Sequence, residues 1–156
     1  MIRLARPGDA EAIRELATLC ITNGIPATRE ASPEEVVDYC RRSYEGLADQ
    51  LRAQRDFVIL VEEQEGRITG YLMLDFEHVE PSTGERQCYI VDLGVHPEKR
   101  GSFATHRLIK KAAQLAKARG LKYLVGTVSS NNERTLQLGL KALGFEVERV
   151  QIMKRC

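Results

Sequence analysis

Apolar residues recur along this chain in two rhythms, and the switches between them mark its elements. Ile2 to Ala5 reads as a short strand, after which RPGD forms a turn. An N-capping Asp9 leads into a helix with Ile13, Leu16, Ala17 and Cys20 on one face. Residues 22–31 form a loop containing Gly24 and Pro26, and Ser32 and Pro33 then open a helix in cap and first-turn order. Val37, Cys40, Tyr44, Leu47 and Leu51 recur there at spacings of three and four, with a break predicted at Gly46 and an end near Gln54.

The period then changes. Phe57 to Glu63 predicts a buried strand, Gly66 a hairpin turn, and Ile68 to Glu80 a long strand; PSTG at 81–84 closes a second hairpin before a fourth strand, Arg86 to Val95. A helix follows from about Ser102 to Arg119. Ala104, Leu108, Ala112, Leu115 and Ala116 make its apolar stripe, Lys110, Lys111 and Lys117 face outward, and Gly120 caps its end. Tyr123 to Val128 reads as a strand, Asn132 to Leu143 as a helix and Glu146 to Met153 as a last strand. The predicted order, β-α-α-β-β-β-α-β-α-β, describes an α+β fold whose mixed, mainly antiparallel central sheet is flanked by helices. Three consecutive strands without crossover helices exclude a doubly wound dinucleotide fold.

Length and composition narrow the function classes. The 156 residues fit a single domain, 1–156, with no internal repeat or linker. A net charge of +1 argues against broad capture of nucleic acid, leaving only the Lys110, Lys111 and Lys117 face for such a partner. The longest strongly apolar run, Phe57 to Val61, is far below the ~18 residues of a membrane span. The charged start, MIRLARPGDA, lacks the apolar region of an export signal. Cys20, Cys40, Cys88 and Cys156 have no CxxC spacing and read as reduced thiols of a cytoplasmic protein; His78, His96 and His106 are equally dispersed, so no metal site is expected.

Candidate chemistry concentrates in VDLGVHPEKRGSFATHRLIKKA, from Val91 onward. A strand runs through a Pro, Arg and Gly turn into a basic helix, whose first N–H groups lack intrahelical partners and whose dipole places about half a positive charge at the same end. Arg100 adds a fixed cation with several donors, so backbone and side chain together suit a pyrophosphate.

With IRLARPGDAEAIREL at its start, LGVHPEKRG in the middle and SSNNERTLQLGLKALGFE near its end, the chain resembles the GNAT superfamily of N-acetyltransferases over nearly its whole length. The resemblance implies a GNAT-like fold in which acetyl-CoA is the co-substrate and a primary amine of a small molecule or protein is the acceptor, attacked directly in a ternary complex. It implies that the backbone of Leu93, Gly94 and Val95 pairs with pantetheine. Arg100, Gly101, Ser102, Phe103, Ala104 and Thr105 would wrap the pyrophosphate, with Asn132 beside the cofactor arm. Two departures stand out. Phe103 and Thr105 fill positions that are usually small, where a phosphate must approach the main chain. Leu140 stands where many members carry a Tyr that protonates the departing thiolate.

Attack on a thioester needs a neutral amine. For a lysine-like acceptor of pKa ~10.4 this costs roughly 4–5 kcal/mol at pH 7, against about 1–1.5 kcal/mol for an α-amine near ~8. Asp92, beside the expected pantetheine edge, is the first candidate base, and Asp75 and Glu77 are next. The competing reading is a non-catalytic CoA-binding or regulatory module, favoured by Phe103, Thr105 and Leu140 occurring together. Neither the acceptor's identity nor the oligomeric state is legible.

Overall fold

A computed structural model describes residues 1–101 and 103–156. Five strands, β1 (Ile2–Leu4), β2 (Phe57–Gln64), β3 (Arg67–Asp75), β4 (Cys88–Val95) and β5 (Leu124–Gly126), form one open sheet in sequence order. Neighbouring strands are antiparallel except β4 and β5, which run parallel. The helices are α1 (Ala10–Cys20), α2 (Pro33–Ser43), α3 (Leu47–Arg52), α4 (Ala104–Ala118) and α5 (Glu133–Ala142). The α+β architecture with a mainly antiparallel central sheet is the one expected.

Because the middle strands are apolar on both faces, the sheet carries two cores. Ile59, Val61, Tyr71 and Met73 pack with Ile13, Leu16 and Ala17 of α1, Cys40 of α2 and Leu47 and Leu51 of α3. On the opposite face Val58, Leu60, Leu72 and Leu74 pack with Leu108, Ile109, Ala112 and Ala116 of α4. Each fully buried aliphatic side chain contributes about 1.5–3 kcal/mol, so β2 and β3 are held from both sides and β4 is paired along β3. Among the described residues no helix is long and apolar enough to cross a membrane, and no group of three His, Cys, Asp or Glu could hold a metal.

Ser32 and Glu35 close a reciprocal capping box at α2, with Pro33 in its first turn, and Gly46 at φ 78° separates α2 from α3. Three expectations differ. Asp9 stands at the N-cap of α1, but its side chain makes no cap bond there. Its carboxylate accepts two bonds from Arg3, at 2.7 and 3.0 Å, and one from the Arg6 N–H at 2.7 Å, tying β1 to the turn before α1. The strand expected to reach Glu80 ends at Asp75, whose Oδ1 accepts the Glu77 N–H at 2.8 Å and turns the chain; only the bridge Val79–Arg86 continues the hairpin. No strand forms over Glu146 to Met153. Val147, Val150 and Ile152 remain 65%, 80% and 89% exposed, and Arg149 is drawn instead to Glu80 and Ser82 at the hairpin tip. The three residues of β5 offer too few ladder bonds to offset ordering that segment.

The Arg3 guanidinium holds the Asp9 carboxyl below its usual 3.8. A depressed folded-state value stabilises the fold above the unfolded value, and that contribution is lost as pH falls through the folded one. Asp9→Asn is therefore expected to be about 1–2 kcal/mol less stable than the wild type at pH 7. The two should converge toward pH 2 in denaturant titrations; a gap constant across that range would show that the Asp9 charge contributes nothing.

Candidate functional site

Pairing between β4 and β5 runs only from Cys88–Leu124 to Ile90–Gly126, whereas β3 stays paired with β4 as far as Gly70–Val95. Beyond Ile90 one edge of β4 therefore has no strand beside it, and a fork opens between β4 and β5. A Cβ at Gly126 would lie 3.3 Å from Ile90 Cβ, so a residue without one lets the strands meet closely at its base. The register slips between Met73–Asp92 and Leu74–Ile90, leaving Val91 as an extra residue that bulges β4 where the fork begins.

The His96 N–H bonds back to the Thr69 carbonyl at 2.9 Å, so by alternation the main-chain groups of Val95 and Leu93 point the other way, into the fork. Side chains of the protein already engage them. Cys20 Sγ lies 3.4 Å from the Val95 carbonyl, and Asp92 Oδ1 accepts the Leu93 N–H at 2.8 Å. Burial pushes the Cys20 thiol up despite the Arg100 guanidinium beside it, so it acts as a neutral donor. A chain of amides with alternating donors and acceptors would exchange for these contacts without loss of pairing.

Asp92 sits on the face covered by α1 and α2. Its Oδ2 accepts from two phenols, Tyr71 at 2.7 Å and Tyr44, which lies just past α2. Burial and, after it, the charge of Asp92 hold both phenols well above the usual phenol range. They remain donors at any ordinary pH and cannot serve as bases. Tyr71 lies opposite Gly94, and its ring occupies the space where a side chain at 94 would stand: a Cβ there would come within 2.4 Å of Tyr71 Cε1. The glycine of LGV is thus the room into which Tyr71 fits to reach Asp92.

At the far end of β4, Pro97–Lys99 make a single 3₁₀ turn capped by His96, and α4 begins at Ala104. Among the described residues the first helical bond runs from the Arg107 N–H to the Phe103 carbonyl at 3.0 Å. The N–H groups of Ala104, Thr105 and His106 precede it and have no intrahelical partner among the described residues, at the helix end whose dipole favours an anion. Gly101 and Phe103 both have positive φ, 96° and 61°, and Phe103 is 75% exposed. The expected ligand Ser102 lies outside the described residues.

Asn132 caps α5 through its side-chain oxygen, which accepts the Thr135 N–H at 3.4 Å. Its neighbour Asn131 clasps the loop after α1, accepting from the Ala27 N–H and donating to the Ile25 carbonyl, each at 3.0 Å. Asp75 is engaged in its own turn and Glu77 in an ion pair with Arg86, so of the three candidate carboxylates only Asp92 lies at the fork. Three participants escaped sequence reasoning. Tyr71 becomes visible only once the β3–β4 register sets it against Gly94; Tyr44 fits the apolar stripe of α2 equally well; and nothing in the spacing of Asn131 signals a clasp.

The sequence profile described as acetyltransferase (GNAT) family matches residues 13–145. No curated protein matches the chain significantly. Solved structures do resemble it in fold. The structure of AAC(6')-Iy in complex with the bisubstrate analogue CoA-S-monomethyl-acetylneamine aligns with a TM-score of 0.74 at 18% identity, covering 100% of this chain and 98% of that one. A ribosomal-protein-alanine N-acetyltransferase from Brucella melitensis biovar Abortus 2308 aligns at 0.69 and 19% identity, over 100% and 99%. A transcriptional regulator from Bacillus halodurans C-125 aligns at 0.75 and 18%, again over 100% and 99%.

Proposed function

We propose that this chain, which belongs to the acetyltransferase (GNAT) family, transfers an acetyl group from acetyl-CoA to a primary amine of a small molecule or protein by direct attack in a ternary complex. The observation that carries the reading is the fork beyond Ile90 and Gly126, which turns the main-chain groups of Leu93 and Val95 toward an extended amide chain and ends beside the open amides of α4.

Bound acetyl-CoA supplies a thioester already activated toward amines. The chain's own residues hold and orient. Leu93, Gly94 and Val95 present the strand edge, while Arg100, Gly101, Phe103, Ala104 and Thr105 surround the diphosphate position, with Ser102 belonging to the same stretch of sequence. Asn132 stands at the start of the helix facing the cofactor arm. Asp92 accepts a proton from the incoming ammonium, directly or through a water, and Tyr44 and Tyr71 keep its carboxylate aimed. Two phenols and an N–H already solvate that carboxylate. With Leu140 at the position of the usual Tyr, the thiolate departs without a dedicated acid; its low basicity makes that tolerable, at a cost of ~10²–10⁴ in rate.

Calorimetry with acetyl-CoA and a free-CoA release assay over a panel of α-amines, polyamines, aminoglycosides and lysine peptides test this. Saturable binding and release with at least one class are expected. Binding without release would assign instead a non-catalytic CoA-binding module, the reading that Phe103, Thr105 and Leu140 favour together. Absence of binding would remove the proposal altogether.

A further inference from the structure

Glu62 is a carboxylate only 1% exposed, on the face of β2 that packs against α4. A buried charge persists only where it is paired and hydrogen-bonded. Arg107, in the first turns of α4, donates to its Oε1 from Nε at 2.7 Å and also from Nη2. The Thr69 hydroxyl lies 3.4 Å from Glu62 Oε2 and 3.3 Å from the Glu62 carbonyl, while the Thr69 carbonyl takes the His96 N–H. One cluster around the buried Glu62 and Thr69 therefore anchors both ends of the 96–107 segment, His96 through Thr69 and Arg107 through Glu62. Between these anchors the backbone at Phe103 is left-handed, a conformation that disfavours a residue with a bulky side chain. Strain of that kind persists only where the surroundings over-determine it.

We infer that Glu62 is a positioning residue: through Arg107 it clamps the first turn of α4 and holds the amides of residues 104–106 in the strained arrangement that receives a diphosphate. The inference deepens the CoA reading and rests on it for the affinity half of its test.

A double-mutant cycle of Glu62→Gln and Phe103→Gly separates a clamp from general packing. Two measurements read it: hydrogen exchange at residues 103–107 of the free protein, and the Kd for CoA. Glu62→Gln is expected to speed exchange in that segment and weaken CoA, each about tenfold, whereas in the Phe103→Gly background the same change should weaken CoA by less than about threefold. Glycine relaxes the strained link, so less clamping is needed. Equal penalties in both backgrounds, or unaltered exchange, would overturn the inference. Should Glu62→Gln not fold, Glu62→Gln with Arg107→Gln removes the pair without leaving either charge alone and enters the same cycle. If the wild type binds no CoA, the functional reading fails while the exchange measurement still decides the clamp.

Discussion

Gly94→Ala is expected to lower the melting temperature by roughly 6–12 °C and to abolish saturable CoA binding. The added methyl would stand 2.4 Å from Tyr71 Cε1, 2.9 Å from Cζ and 3.1 Å from the hydroxyl, with no room for the ring to retreat. Tyr71 is 1% exposed, packed among Ile59, Val61 and Met73, and fixed at its tip to Asp92. Overpacking of this kind costs about 1–3 kcal/mol, and breaking a buried hydrogen bond to a charge adds about 1–3 kcal/mol. A total near 3 kcal/mol converts to the stated shift at ~2–4 °C per kcal/mol for a chain of this length. The CoA effect follows because Gly94 lies between Leu93 and Val95, the two residues whose main-chain groups line the fork. Gly8→Ala is the control, since nothing lies within 4 Å of a Cβ there, and it should melt close to the wild type. Thermal denaturation of both variants decides; a Gly94→Ala protein melting within about 2 °C of the wild type would show that Tyr71 has another place to go.

That contrast between two glycines shows which part of the molecule was legible in the residue pattern. The continuous apolar run from Phe57 to Val61 and the three-four spacing from Ala104 to Ala116 placed strand and helix correctly because each pattern reports one local fact, which side chains face a core. The Val91 to Thr105 stretch was recognisable as strand, turn and helix start for the same reason, because each of these is local. The Asp92 cluster is not local. It joins α2, β3 and β4, and the slip at Val91 decides that Tyr71 faces Gly94. Glu62 shows the limit most clearly, because a carboxylate near the end of an apolar strand reads as its solvated terminus until α4 brings Arg107 over it. The missing last strand fails in the opposite sense: Val147, Val150 and Ile152 have strand propensity, yet a strand exists only where a partner is long enough to receive it.

Asp92→Asn is expected to reduce turnover by about 10²–10³ at neutral pH with strongly basic acceptors, and by much less with weakly basic ones. The size of the loss follows from what the carboxylate is asked to do. Delivering the neutral form of a lysine-like amine costs roughly 4–5 kcal/mol at pH 7, and of an α-amine about 1–1.5 kcal/mol, so the missing proton acceptor is felt in proportion. Asparagine keeps the shape and still satisfies part of the cluster, but it cannot accept from Tyr44, Tyr71 and the Leu93 N–H at once as Asp92 does; about 1–2 kcal/mol of stability should be lost as well. Stability and proton acceptance therefore need separate readouts. Tyr71→Phe supplies the first, since it breaks one bond to Asp92 while leaving the charge in place, and its effect on turnover should be uniform across acceptors. A series of amines of graded basicity supplies the second. If the penalty of Asp92→Asn is flat across that series, Asp92 only pins the two phenols in place, and the proton leaves by way of solvent; if it steepens with basicity while the Kd for CoA stays within about threefold, the carboxylate at the mouth of the fork takes the proton itself.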